Sequence, residues 1–349
     1  MAKFKFKLPK KLTRKQERAI DSRKPIFLTG VPGSGKTVVA TMRLKNSKNG
    51  ILFTYGKLLS KAIETQVNDS SKRVTNIHGW YYDIIKEYMD ESLTEQTLEH
   101  ITTQLKSRNI AFQEIIIDEG QDIITVAYKL LTSLSDRISV GADDAQKISY
   151  NECSTEDEIL SIISDVKKIE LDENFRNSYN IFNFARQFVP HNPRANDENM
   201  LEKLQKESGE IPIVYTINGR KEAMKVTKKI INANPTDNIG ILCKNITVVN
   251  EYAQTLENDF EISVYHYQLK VPQKLNNILV TTVFSAKGME FDIVIIPDFS
   301  NMKDKDREIY FVASTRAKTE LYLLCENNDL PFIVKQFDSK SYEIKKLKD

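Results

Sequence analysis

The chain has 349 residues, 40% of them hydrophobic and 28% charged, a composition that fits a soluble globular protein with room for two domains. Lys and Arg number 50 against 48 Asp and Glu, a net charge of +2, so any nucleic-acid footprint has to be local rather than a property of the whole surface. Cys153, Cys243 and Cys325 stand far apart with no Cys-x-x-Cys pair, which argues against a disulfide framework or a zinc site and suits a reducing cytoplasm. No apolar run is long enough to span a membrane, and the Lys–Phe alternation of the first residues is not a signal peptide. Basic residues gather at both ends (Lys3, Lys5, Lys7, Lys10, Lys11, Arg14 and Lys15; Lys340, Lys345, Lys346 and Lys348), as solvated arms or as phosphate contacts.

In chain order, residues 12–22 read as a short helix and residues 25–29 as a buried strand. Then comes Gly30-Val31-Pro32-Gly33-Ser34-Gly35-Lys36-Thr37, followed by a helical stretch over 38–44. Strand, glycine-rich turn and helix form the context of a phosphate-binding loop. Gly30, Gly33, Ser34 and Gly35 let the backbone curl until several N–H groups face one anion, and the helix N-terminus adds partial positive charge. Lys36 would meet the β- and γ-phosphates of ATP, and the Thr37 hydroxyl can ligate Mg²⁺. Residues 51–55 read as a strand, 58–67 as a helix, and 74–78 as a short strand with its exit loop. Residues 79–107 are helical in pattern, with Trp80, Tyr81, Ile84, Ile85 and Tyr88 spaced as core. Residues 115–117 form an apolar strand ending in Asp118-Glu119; a helix over 126–134 and a strand over 138–141 follow.

After 169–171 the pattern restarts. A helix over 178–189 leads to a proline-containing loop, 190–199. Strands are read at 211–216, 239–243, 262–265, 277–284, 293–296 and 320–325, with helices at 220–231, 247–256 and 308–317. This is a second α/β unit without a phosphate loop, so the domains are drawn as 1–172 and 173–349. Alternation of strands and helices implies parallel sheets covered on both faces.

Downstream of a phosphate loop, the first acid at a strand end holds the Mg²⁺ shell and the second can polarise the attacking water, which gives Asp118 and Glu119 their candidate roles. Gln146, after the next strand, is either a γ-phosphate sensor or a plain polar loop residue. Arg176 and Arg316 each stand beside an element end. Position alone makes them surface salt-bridge residues; facing phosphates across a cleft, they would stabilise transition-state charge.

These residues, in this order, resemble a superfamily-one helicase of the UvrD/Rep/PcrA type, over nearly the whole chain. Leu12-Thr13-Arg14-Lys15-Gln16 resembles the Q motif, which implies that Gln16 reads the adenine. Residues 30–37 are motif I, 53–56 resemble motif Ia and 75–78 motif Ib. Motif II is 117–122, motif III 142–146, motif IV 171–176, motif V 282–292 and motif VI 310–318. The resemblance implies an α/β protein of two RecA-like parallel-sheet domains, a P-loop NTPase with ATP and Mg²⁺ in an interdomain cleft. It makes Arg176 and Arg316 arginine fingers and Glu290 a nucleotide contact. It assigns Thr54, Tyr55, Thr75, His78, Tyr150, Phe284 and Ser285 to the nucleic-acid strand. The implied activity is ATP-driven 3′ to 5′ movement along single-stranded DNA, with RNA as the other strand class.

The departures from the family pattern matter as much. After Gln146 the run Lys147-Ile148-Ser149-Tyr150-Asn151 keeps a single displaced aromatic. Phe284 stands where motif V usually has His, and Gly56 replaces the usual Asn of motif Ia. The gap between motifs Ib and II is about 40 residues, too short for the accessory domain that larger relatives insert. The gap between motifs IV and V, about 100 residues, is used up by the α/β unit itself. A whole ATP engine with a thinned grip also fits a nucleic-acid- or nucleotide-sensing ATPase subunit that regulates a partner effector, such as a nuclease in phage defence, without processive unwinding. A purely structural nucleotide-binding protein would have no use for Glu119 and both arginines.

Overall fold

The strand that enters the phosphate loop is apolar on both faces, with Ile26 and Leu28 packing to one side and Phe27 to the other. A strand of that kind has to lie inside a sheet sandwiched by helices. The computed structural model describes residues 2–6, 8–9, 11–67, 73–85, 95–108, 110–144, 154–163, 165–193, 195–197, 201–202, 204 and 209–347. The chain divides into two units, one of residues 6–172 and one of residues 1–5 with 173–349. No helix of the described residues is long and apolar enough to cross a membrane.

The first unit runs α1 (Arg14–Ile20), β1 (Ile26–Gly30), α2 (Lys36–Asn46), β2 (Gly50–Thr54), α3 (Lys57–Val67), β3 (Arg73–Asn76), α4 (Ile77–Ile85), α5 (Glu95–Ser107), β4 (Glu114–Ile117), α6 (Thr125–Thr132), β5 (Ile138–Gly141), α7 (Glu156–Ile162) and β6 (Lys167–Leu171). Its sheet has the order β3-β2-β4-β5-β1-β6, with every pair parallel. The larger core, from Phe27, Phe53, Trp80, Ile115, Ile117 and Tyr128 among others, covers one face; Ala19, Ile20, Val39 and Leu171 cover the other beside β1. This is a RecA-like P-loop arrangement, with β5 lying between the loop strand β1 and the acid-tipped strand β4.

The second unit runs α8 (Tyr179–Ala185), β7 (Ile213–Thr216), α9 (Gly219–Ala233), β8 (Ile239–Cys243), α10 (Ile246–Leu256), β9 (Ser263–Tyr265), β10 (Ile278–Thr282), β11 (Phe291–Ile296), α11 (Arg307–Ser314), β12 (Ala317–Cys325) and β13 (Glu343–Lys346). The sheet order is β13-β7-β12-β11-β8-β10-β9, again all parallel. Ile293 and Ile295 join the core beneath α9 and α10. Strand alternation turns Val294 and Ile296 the other way. Phe184, Phe188, Phe299, Tyr310 and Phe337 form a cluster of mostly edge-on rings, with centroids 5.0–6.2 Å apart.

The structure departs from the sequence reading in a few places. Helix α4 starts at Ile77, straight after β3, so His78 lies on a helix and not in an exit loop. Tyr88 lies outside the described residues. Helix α7 was not foreseen, although Thr155 and Glu158 form a capping box at its start. Strand β10 ends at Thr282, leaving Phe284 in the turn beyond it. Neither chain end is a loose arm. Residues 2–5 pair with 275–277 and with Asn238, and the lysine-rich 343–346 adds a strand beside β7.

One buried ion pair fastens the first unit at the opposite sheet edge from the phosphate loop. Arg43 of α2 donates from Nε and Nη2 to Glu114 Oε1 at 3.0 and 2.5 Å, and from Nη1 to the Ala19 carbonyl at 2.6 Å. Ser139 Oγ donates to the same carboxylate oxygen at 2.5 Å. With both partners buried, removing one strands the other without compensation. Arg43→Ala is therefore expected to destabilise the first unit by about 3–5 kcal/mol, read as a lowered urea midpoint. Arg43→Lys should recover little of it, because an ammonium cannot reproduce the forked contact.

Candidate active site

The phosphate loop owes its shape to two glycines that no other residue could replace in place. Gly30, at φ +150°, sits so close to β6 that a Cβ would fall 2.3 Å from the Leu171 carbonyl oxygen. Gly35, at φ +94°, caps α2, and a Cβ there would fall 2.5 Å from Gln16 Nε2. Gln16 is engaged at both ends of its amide. Its Oε1 accepts the Thr13 N–H in the capping box of α1, and its Nε2 donates to the Ser34 carbonyl at 2.9 Å. That second bond ties α1 to the loop.

Inside the loop, Lys36 Nζ donates to the Gly30 carbonyl at 2.5 Å and the Val31 carbonyl at 3.3 Å, and lies 3.4 Å from Asp143 Oδ2. Thr37 Oγ1 donates to Asp118 Oδ2 at 2.7 Å. Ser34 Oγ is buried with no hydrogen-bond partner among the described residues. An orphaned hydroxyl at a glycine-capped helix start suits a phosphate oxygen. The Thr37–Asp118 pair offers the hard oxygen donors Mg²⁺ takes alongside water and phosphate. These residues therefore fit a bound Mg²⁺–nucleotide.

Asp118 and Glu119 leave the carboxyl end of β4 fully covered by protein. Burial and the neighbouring Glu119 push the Asp118 carboxyl up to about 7, against the Thr37 hydroxyl and Lys36. Two adjacent buried carboxylates repel, and a cation is the means of holding both charged. Glu119 adopts φ 57°, a left-handed conformation that costs a non-glycine residue roughly 1–2 kcal/mol. The bend turns its carboxylate toward Gln121, whose Nε2 donates to Glu119 Oε2 at 2.6 Å. Gln121 Oε1 accepts the Asp143 N–H at 3.0 Å. Lys36, Asp143, Gln121 and Glu119 thus form one buried chain. Gln121 and Asp143 were quoted in the sequence motifs without a role, because polar loop residues carry no periodicity to read. Gln146 lies outside the described residues.

The second unit gathers its own charged group. Arg176 donates from Nε to Glu290 Oε1 at 2.7 Å and from Nη1 to the Thr315 carbonyl at 3.4 Å. Lys318 Nζ reaches Glu290 Oε2 at 3.1 Å. Burial alone would raise the Glu290 carboxyl, but Arg176 and Lys318 outweigh it and hold it well below the usual carboxylate range. Arg316 is fully buried, its Nε donating to the Val312 carbonyl at 3.1 Å. Asn177 Nδ2 donates to the Thr315 and Ala317 carbonyls at 3.1 and 2.6 Å, and Asn174 Oδ1 accepts the Arg176 and Asn177 N–H groups. Arg176, Glu290 and Arg316 are therefore brought together, positioned by two asparagines the sequence reading passed over.

The residues assigned to a strand are more scattered. Thr54 is fully buried and its hydroxyl donates to the Gly56 carbonyl at 3.0 Å. Tyr55 is exposed beside it, and Thr75 is half-buried on β3. The side chain of His78 and the whole of Tyr150 lie outside the described residues. Phe284 is exposed in the turn after β10, and Ser285 Oγ bonds Thr282 Oγ1 at 3.0 Å.

Comparison with known proteins accords with this geometry. The family model described as the UvrD-like helicase C-terminal domain matches residues 277–324, the stretch holding Phe284, Glu290 and Arg316. The model described as an AAA domain matches residues 16–152, from Gln16 through the phosphate loop and the acid pair. The chain thus carries a segment similar to an AAA domain followed by one similar to the UvrD-like helicase C-terminal domain. These two domains together make it an ATPase enzyme of the helicase type. Among solved structures it is similar to the C-terminal domain of a possible DNA helicase from Lactobacillus plantarum WCFS1, at 17% identity and TM-score 0.39, over 49% of this chain and 98% of that one. It is also similar to the PRRSV helicase, at 11% identity and TM-score 0.45, over 89% of this chain and 54% of that one. The chain thus spans about half the length of the PRRSV protein. No curated protein matches.

The buried chain of contacts makes Gln121 a positioning residue. Gln121→Ala should lower ATP turnover by up to about a hundredfold, the effect of misplacing a reacting group by an ångström, with little change in KM for ATP. Steady-state phosphate release checks this; an equal loss in nucleotide affinity would mean that Gln121 merely supports the fold.

Proposed function

We propose that the protein couples ATP hydrolysis to 3′ to 5′ movement along single-stranded DNA, its two units working as separate RecA-like motor domains. The observation that carries this reading is the buried chain from Lys36 through Asp143 and Gln121 to Glu119, alongside the Thr37–Asp118 hydrogen bond. A nucleotide-binding scaffold without turnover has no need to hold a strained glutamate beside a metal-type carboxylate. Bound Mg²⁺–ATP would supply the phosphoryl group and neutralise part of its charge. Lys36 would then meet the β- and γ-phosphates, Thr37 and Asp118 would hold the metal, and Gln16, at the edge of the loop, would read the adenine. Glu119 orients the attacking water and takes its proton on a carboxylate oxygen. Arg176 and Arg316 serve as arginine fingers on the transition-state charge, with Glu290 holding Arg176 until it is used. Tyr55 and Phe284 are the accessible rings for single-strand contact among the residues assigned by resemblance.

The test is ATPase stimulation by single-stranded DNA, single-stranded RNA and duplex DNA, together with four variants. Stimulation by single-stranded DNA above the other two supports the reading. Lys36→Ala should abolish ATP binding or turnover. Glu119→Gln should bind ATP and hydrolyse it poorly; unchanged turnover would remove Glu119 from the base role. Arg176→Ala and Arg316→Ala should each slow turnover by roughly three orders of magnitude with much less effect on nucleotide affinity. Translocation measured by displacement of streptavidin from a 5′-end biotin, with a 3′-end biotin as the control, separates a motor from an ATPase that only senses the strand.

A further inference from the structure

The second unit carries an exposed aromatic that no motif assigns. Tyr267 is 72% exposed, against 39% for Phe284. It sits in a turn just past the carboxyl end of β9, closed by the Leu269 N–H donating to the His266 carbonyl at 2.8 Å. The turn is rooted by His266, which is buried and meets the Tyr267 ring edge-on at 6.5 Å between centroids. Strand β9 pairs in parallel with β10, and Tyr265 is in register with Thr281. Tyr267 follows the last residue of β9 by two positions, and Phe284 follows the last residue of β10 by two. Both exposed rings therefore leave the same end of adjacent strands, where open parallel sheets bind ligands.

The segment that carries these rings is one-sided in charge. Residues 262–289 contain no aspartate or glutamate in a chain that has 48, while Lys270 and Lys274 stand exposed on the segment leading back to β10. An accessible ring on an acid-free segment that also carries exposed lysines matches the two demands of a single nucleic-acid strand: a stacking face for a base and cations for its phosphates.

We propose that Tyr267 is a base-stacking residue, forming with Phe284 a platform at the carboxyl edge of β9 and β10 that takes single-stranded nucleic acid, with Lys270 and Lys274 on the phosphates. This deepens the motor reading and rests on it. It supplies a ring where the stretch after Gln146 has lost the usual ones, and it places the grip on the second unit.

The experiment measures binding of fluorescein-labelled oligo-dT and oligo-U by anisotropy at several salt concentrations, with strand-free ATPase as a control. Tyr267→Ala should weaken binding by about tenfold or more, the usual loss for one stacked base. Tyr267→Phe should keep wild-type affinity, and strand-free turnover should be unchanged in both. Lys270→Ala with Lys274→Ala should make the salt dependence shallower by between one and two counterions. If the wild-type protein binds and Tyr267→Ala binds equally well, the platform is overturned while the motor reading stands. If the wild-type protein binds neither oligonucleotide, both fall.

Discussion

A buried ammonium group governs the working edge of the first unit. Lys36 is only 7% exposed, and a charge so covered is tolerated only with well-placed acceptors. Its acceptors are the Gly30 and Val31 carbonyls and the Asp143 carboxylate. Each contact fixes a different segment. The carbonyls hold the loop in its curl, and Asp143 draws in the segment after β5. Through Gln121, that segment sets the carboxylate of Glu119 at the tip of β4. A nucleotide that recruits Lys36 alters the partner on which this chain depends, so nucleotide binding and the placement of the Glu119 carboxylate are mechanically linked.

Much of this was legible from the amino acids, for reasons that differ by element. Strands β1 and β4 are long apolar runs ending in residues of special chemistry, and buried parallel strands announce themselves that way. The phosphate loop is legible because glycine spacing, lysine and threonine must all coincide. What escaped was set by partners far off in the chain. Gln121 and Asp143 are ordinary polar residues until the fold brings them together. Strand β13 reads as a basic tail because an edge strand is recognised by its backbone bonds, and exposed lysines on it also guard the open edge. Helix α7 could have been found from its capping residues alone.

Arg176 drew two readings from the sequence, and the ion pair is the one that the geometry bears on directly. Position alone suggested a salt-bridge residue and the motif suggested a finger. It does form an ion pair, with Glu290, but a buried one, braced by Asn174 and close to the segment that carries Arg316. Ionic pairing in such a place is a way of storing a guanidinium in a fixed pose. An Asn-x-x-Asn pattern around the arginine is the local signal: Asn174 accepts the Arg176 and Asn177 N–H groups of the turn, and Asn177 donates to the Thr315 and Ala317 carbonyls.

The amino-terminal arm has a consequence for how the chain comes together in time. Lys5 exchanges hydrogen bonds with Asn238, 233 positions away, and Phe4 and Ala2 pair with Leu275 and Asn277. Contacts of such sequence separation are the slowest to close. At ribosomal speeds of about 5–20 residues per second, the arm waits roughly 10–50 s for its first partner to be made. Over that interval the first unit has time to fold and leave the ribosome while the Lys–Phe alternation stays unpaired. The arm's partners are complete once residue 277 has been made, whereas the edge strand β13 joins the same sheet only after residue 346, so the second unit gathers segments made far apart in time.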